Sequence, residues 1–253
     1  MNQTAEESRV RYELALLYRF LSYLQLDDLT YTHVSARLPG TDAFLIYPFG
    51  ALFGEVTPEA LLKVDFEGNV LSGQEYQYNR TGYAIHSALY KARPDLNAIV
   101  HLHTYAGVAV SAMACGLLPI SQFSFHFYER LSTHPYDSLV LDPSQGNRLV
   151  EDLGENRCML LQNHGTLTCG STLQEALFYT IYLEKACMAQ VKALGAGKEG
   201  LLMPPPQVCR RARDDMRAFE QDLGRRDWIA LERLLQHNGL LDFSSPALAA
   251  VSC

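Results

Sequence analysis

Asn97-Ala98-Ile99-Val100-His101-Leu102-His103-Thr104 is the stretch from which the rest of the chain is read. Pro94, Asp95 and Asn97 interrupt regular structure at its start, and Ile99 and Val100 are β-branched and apolar. The pattern predicts a strand entering from a turn. Side chains alternate along a strand, so His101 and His103 share one face and Leu102 takes the other. Two imidazoles in that relation can chelate one divalent ion, or can be hydrogen-bonded partners at the end of a core strand.

A third histidine lies further along. Met159-Leu160-Leu161-Gln162 is a short apolar run that leads into Asn163-His164-Gly165. The flanking Asn and Gly place His164 where a strand ends or kinks, with Gly165 supplying unusual backbone angles. Three histidines on neighbouring strand ends would form a His₃ site with an open coordination position, which suits catalysis or ligand binding better than a structural zinc.

Bulk properties narrow the class. A chain of 253 residues can bury one large core, or one domain with an appendage. Hydrophobic residues make up 48% and charged residues 19%, the balance of a globular chain. A net charge of −7 argues against nucleic acid as a partner. The six cysteines form no CxxC pair and read as reduced thiols. The acidic, polar first residues do not resemble a secretory leader, and the apolar run from Val108 to Ile120 is too short to span a bilayer. The expected location is cytoplasmic, with no membrane partner.

In chain order, Thr4 and Glu7 suggest a capping box. Val10, Leu14, Leu17, Leu21 and Leu24 form the apolar face of a first helix, ended by Asp27-Asp28. Tyr31–Arg37 and Ala43–Tyr47 read as strands, Thr57–Leu62 as a short helix, and Lys63–Leu71 as a hairpin. A helix over Gly82–Ala92 precedes the histidine strand, and a small-residue helix over Tyr105–Ala114 follows it. Pro119 opens a less regular stretch carrying His126 and Tyr128. Leu139–Leu141 reads as a strand and Gly146–Leu153 as a helix. Cys158–Gln162 and Thr166–Thr168 are strands, and a long helix begins at the overlapping capping boxes of Ser171–Glu175. A Gly/Pro-rich linker and a charged helical hairpin, Arg210–His237, close the chain. The expected division is 1–200 for the main domain and 201–253 for a linker and C-terminal helical extension.

Six landmarks in register resemble the class II aldolase/adducin family. They are Val34–Arg37, Leu45–Gly50, His86–Tyr90 with Arg93-Pro94-Asp95, His101–Thr104, Asn163–Gly165 and the helix opening at Glu175-Ala176. The match runs from about Arg9 to Leu194, and its variants look closer to the adducin head. The resemblance implies an α/β fold, a three-layer α/β/α sandwich around a central mostly antiparallel sheet. It implies tetramers with sites at subunit interfaces. It also implies that His101, His103 and His164 bind Zn2+ or another divalent ion such as Mn2+, Co2+, Fe2+ or Ni2+.

The departures bear on the chemistry. The family's aldolases carry a glutamate, both ligand and acid/base, where this chain has Gly82. The phosphate-binding serines correspond to Arg80, Thr81 and Phe49, the last next to Gly50, and the Ser-Gly-Asn segment corresponds to Tyr31-Thr32-His33. Two readings follow. One is a metal-dependent lyase that cleaves a C–C bond of a non-phosphorylated hydroxy- or keto-acid through a metal-stabilised enediolate, by aldol cleavage or decarboxylation. In it His33, His126 and Tyr128 are the candidate acids, although each reads more readily as an ordinary packing or hydrogen-bonding residue. Arg80, Thr81 and Gly50 would bind substrate, though Arg80 could instead be a surface ion pair. The other reading is a non-catalytic, adducin-like binding or oligomerisation module.

Overall fold

The computed structural model describes residues 5–138 and 143–243. Helix α1 (Ala5–Tyr23) buries Val10, Leu14, Leu17 and Leu21 as the spacing predicts. The antiparallel strands β1 (His33–Arg37), β2 (Ala43–Ile46), β3 (Leu62–Asp65) and β4 (Val70–Ser72) follow, then α2 (Arg80–Ala92) and β5 (Ala98–Leu102). Next come α3 (Tyr105–Ser111), α4 (Gln122–Phe125), β6 (Leu131–His134), α5 (Pro143–Leu153), β7 (Cys158–Leu161) and β8 (Gly165–Gly170). Three helices end the described chain: α6 (Leu173–Ala193), α7 (Pro206–Phe219) and α8 (Arg225–His237).

Among the described residues the eight strands form one sheet in the order β4-β3-β2-β1-β5-β8-β7-β6. Every pairing is antiparallel except β6 with β7. Register sets which side chains share a face. His33 lies opposite His101 and Ser35 opposite Ile99, so the odd positions of β1 and β5 face α2. Val100 lies opposite Thr168, whose hydroxyl meets Thr180 of α6 at 2.6 Å. Helices α2 and α5 therefore cover one face and α6 and α3 the other, which is the expected three-layer sandwich.

Several local expectations are revised. Thr57-Pro58 does not open a helix. Thr57 caps one turn, closed by the Ala60 amide, and β3 begins two residues later. Helix α3 stops at Ser111, three residues early. Strand β6 lies in the stretch read as irregular, because Leu-Ser-Thr-His carries too little apolar alternation to announce itself. The Thr4 cap, the Leu139–Leu141 strand and Cys253 lie outside the described residues; the other cysteines are free. Helix α8 sends Trp228 and Leu235 into the main core, with Trp228 edge-on to Phe20 at 4.9 Å.

Candidate metal centre

Strand β5 carries His101 on the α2 face, and His103 follows one residue past the strand end. The tight β7–β8 connection carries His164. Here the backbone differs from expectation. Asn163, not Gly165, takes the left-handed conformation, at φ +56°, which Asn tolerates better than most residues. Gly165 is needed for close approach: a Cβ there would lie 2.3 Å from the Leu102 carbonyl oxygen and 3.2 Å from Cδ2 of His103. Only hydrogen fits where β8 meets the histidine strand.

The three rings converge. Their centroids are 4.7, 4.7 and 4.8 Å apart, and one nitrogen from each falls within 4.8 Å of the others. His101 Nδ1 donates to the Thr166 carbonyl at 3.0 Å, and His103 Nδ1 donates to the Asp28 carboxylate at 3.0 Å. With their hydrogens on Nδ1, the two rings can present a bare Nε2 each. Those two nitrogens face each other at 2.9 Å. Two lone pairs at that distance repel unless a positive charge, a metal ion or a proton, lies between them. The donor set therefore fits a divalent cation: imidazole nitrogens turned inward, with outer nitrogens held by a carbonyl and a carboxylate. Burial and the neighbouring histidines push His101 well below its ordinary protonation range, and burial takes His164 down to about 4. Both favour the neutral, ligating form at neutral pH.

His33 joins from β1, its ring 4.8 Å from that of His101. It follows Thr32, a β-branched residue at φ +69° whose buried hydroxyl has no hydrogen-bond partner among the described residues. A Cβ on Gly82 would lie 2.7 Å from Cγ and Cδ2 of His33, so the imidazole fills the space a side chain at 82 would need. The start of α2 is close by. Asn79 caps it by accepting from the amides of Thr81 and Gly82, and Thr81 Oγ1 donates to the same oxygen at 2.7 Å. Arg80 is exposed and makes no hydrogen bond or ion pair among the described residues. Gly50, at φ +98°, follows Phe49, whose amide donates to the Gln77 carbonyl at 2.7 Å. Arg80 and Thr81 thus open α2 beside Gly82, and the residue before Gly50 bonds the chain three positions ahead of that helix.

His126 and Tyr128 are placed elsewhere. The His126 ring packs against Phe178 and Tyr182 of α6, and the Tyr128 carbonyl accepts from Arg213 of α7. Neither contacts the three histidines among the described residues.

A family model described as the class II aldolase and adducin N-terminal domain matches residues 12–191. The chain belongs to the class II aldolase and adducin family. A Caulobacter vibrioides protein, provisionally named an aldolase class 2 protein, is 42% identical over 212 residues, 83% of this chain and 81% of that one. Rat (Rattus norvegicus) alpha-adducin is 37% identical over 206 residues, 79% of this chain but 28% of the adducin. The crystal structure of an aldolase II superfamily protein from Pseudomonas syringae superposes with a TM-score of 0.89 at 40% identity, covering 95% and 98% of the two chains.

Within this family fold, sequence reasoning missed Asp28 and Thr166, which hold the outer nitrogens of His103 and His101. Asp28 was legible only as a helix stop, and Thr166 acts through its backbone, which leaves no side-chain signal. Tyr136 also went unassigned; its ring lies 6.2 Å from that of His164. It borders a cavity of about 20 Å³ shared with Gln162 and Ile85, room for about one water.

Proposed function

We propose that this protein is a divalent-metal-dependent lyase that breaks a C–C bond in a non-phosphorylated hydroxy- or keto-acid. One observation carries the reading: His101 and His103 turn bare nitrogens toward each other, beside His164, with their outer nitrogens already committed. These three residues would hold the ion, with Zn2+ as the first choice and Mn2+, Co2+, Fe2+ or Ni2+ as alternatives. Bound there, such an ion supplies Lewis-acid stabilisation of negative charge developing on a substrate oxygen.

The chain's own groups do the rest. His33 is the nearest additional imidazole, and it acts on the substrate from the side opposite the β7–β8 turn. Arg80 offers a planar fork suited to a carboxylate, with Thr81 and the Gly50 loop forming the remainder of that subsite. Gly82 removes the family glutamate, so abstraction of a hydroxyl proton has no carboxylate base there. Loss of CO₂ needs no such base, only a proton returned afterwards to the carbanion carbon, which solvent water can supply, and this makes decarboxylation the better match of the two cleavages. Within a single chain neither His126 nor Tyr128 reaches the three histidines, so this reading gives them no step in the chemistry. The working form is a homo-oligomer, a tetramer by family resemblance. In support, Tyr105 directly follows His103-Thr104 and is 98% exposed, leaving a large ring beside the centre for a second copy to cover.

Similarity to alpha-adducin supports a second reading, in which the scaffold binds or assembles and does not catalyse. A panel of small hydroxy- and keto-acids, assayed with Zn2+-, Mn2+- and Co2+-loaded protein for CO₂ release and for aldehyde formation, separates the two. Turnover that disappears on chelation is the expected result. Inertness on every acid, together with co-sedimentation with actin filaments, would transfer the assignment to the binding module.

A further inference from the structure

Behind His33 runs a buried chain of polar groups that the reading above does not use. His33 Nδ1 meets His86 Nε2 at 2.8 Å, His86 Nδ1 meets Ser35 Oγ at 2.5 Å, and Ser35 Oγ meets the Tyr90 hydroxyl at 2.8 Å. His33, His86, Ser35 and Tyr90 are each no more than 2% exposed. Bulk water therefore cannot substitute for a missing partner. The order of hydrogens along this chain follows from counting donors and acceptors.

Among the described residues the Tyr90 hydroxyl has no acceptor other than Ser35 Oγ; its other polar neighbour, the Arg37 backbone amide, can only donate. If Ser35 donated to it, the tyrosine hydrogen would be buried without an acceptor, which folded proteins avoid. Tyr90 therefore donates to Ser35. Ser35 then places its own hydrogen on the remaining neighbour, His86 Nδ1. A neutral His86 with an accepting Nδ1 must carry its hydrogen on Nε2, and that hydrogen points at His33 Nδ1. His33, in turn accepting at Nδ1, carries its hydrogen on Nε2. An imidazolium at His86 would offer a different order, but its partners among the described residues are a histidine and a serine, with no carboxylate to hold the charge, and burial pushes it down to about 3.

The start of the chain is rigid. The Arg37 guanidinium sits 4.9 Å over the Tyr90 ring and also bonds its carbonyl, and Phe44 and Phe66 pack against the same ring. At the other end, Gly82 leaves the imidazole its room.

We infer that Tyr90, Ser35 and His86 are positioning residues that hold His33 in the Nε2–H tautomer, making it a neutral hydrogen-bond donor to the centre and not a fourth metal ligand or a base. With Nδ1 committed to His86 and Nε2 carrying hydrogen, His33 has no lone pair to give a cation. What it offers is an N–H, which stabilises charge on a substrate oxygen without moving a proton, a use known for neutral imidazoles. The substrate half of this statement rests on the lyase reading; the tautomer does not.

The test is nitrogen NMR on full-length protein labelled with ¹⁵N-histidine, loaded with Zn2+ and, separately, metal-free. The His33 signals are assigned by their loss in His33→Gln. The expected spectrum shows His33 with hydrogen on Nε2 and a bare Nδ1 in both samples. In Ser35→Ala, which removes the link, His33 becomes a mixture of tautomers. Hydrogen on Nδ1 in the unmodified protein overturns the inference, as does a Ser35→Ala spectrum with unchanged His33. Should Ser35→Ala fail to fold, the unmodified spectrum decides alone. A Zn2+ titration adds an independent check. His33→Gln is expected to weaken affinity by less than about tenfold, and a loss beyond about a hundredfold would make His33 a ligand. If the unmodified protein neither retains Zn2+ nor turns over any acid, the lyase reading falls while the tautomer measurement still stands or fails on its own.

Discussion

A methyl group at position 82 would sit 2.7 Å from two carbons of His33, and His33 cannot retreat without losing its bond to His86. Gly82→Ala should therefore cost about 1–3 kcal/mol in urea unfolding. Shrinking the neighbour in His33→Gly/Gly82→Ala should recover much of that loss, a non-additivity expected of residues sharing one volume. Strict additivity would show that the two do not compete for space. Asp28 makes a separate case. Asp28→Asn weakens the acceptor that orients His103, and metal affinity should fall about 10–100-fold with the fold intact, as read by titration in a metal buffer. Legibility at this scale followed sequence distance. His101 and His103 could be assigned to one side because strand alternation is local. The partnership of His33 with His86 spans 53 positions and has no local pattern. Only the arrival of α2 over β1 creates it.

At the scale of elements, the strongest test falls on Gly165. Gly165→Ala drives a carbon to 2.3 Å from the Leu102 carbonyl oxygen. The cost should lie at or above the top of the range of about 1–3 kcal/mol for overpacking, with metal binding lost because β8 and the end of β5 separate. Retained stability and metal binding would mean that the strands approach less closely. Trp228 tests the C-terminal helices. Trp228→Ala should destabilise the whole unfolding transition by about 3–5 kcal/mol, because the ring is buried against Phe20 of α1. Loss of α8 alone, with the main transition unmoved, would make it a detachable unit. The long amphipathic helices and Val/Ile-rich strands were readable because their apolar periods extend over several turns or alternations. β6 was not, since its four residues gain their place by parallel pairing with β7, a contact made across 27 residues of chain. The turn at Thr57 carried a correct capping signal but had no room for a helix before β3.

Over the whole molecule, the buried histidines set the response to acid. His86 lies at about 3 and His164 at about 4 in the fold, with His33 and His101 also held down, all by burial first. An unfolded histidine titrates near its ordinary 6.5. Between those values the unfolded chain binds more protons than the folded one. Stability is therefore full above pH 6.5 and declines as pH falls from there, toward about 4 for His164 and about 3 for His86, by up to about 1.4 kcal/mol per pH unit for a fully buried ring such as His86. Urea unfolding at pH 7, 6 and 5 should show this decline, steeper with Zn2+ because the ion is released over the same window. A flat profile would mean that the rings are not buried neutral. The central claim is more direct still: three imidazoles from β5 and the β7–β8 turn hold one cation. Elemental analysis by mass spectrometry of untagged protein, unmodified and as His101→Ala and His164→Ala, tests it. One divalent ion per chain, lost in both variants, is the predicted result. No stoichiometric metal in the unmodified protein even after incubation with Zn2+, or full occupancy in both variants, would contradict it.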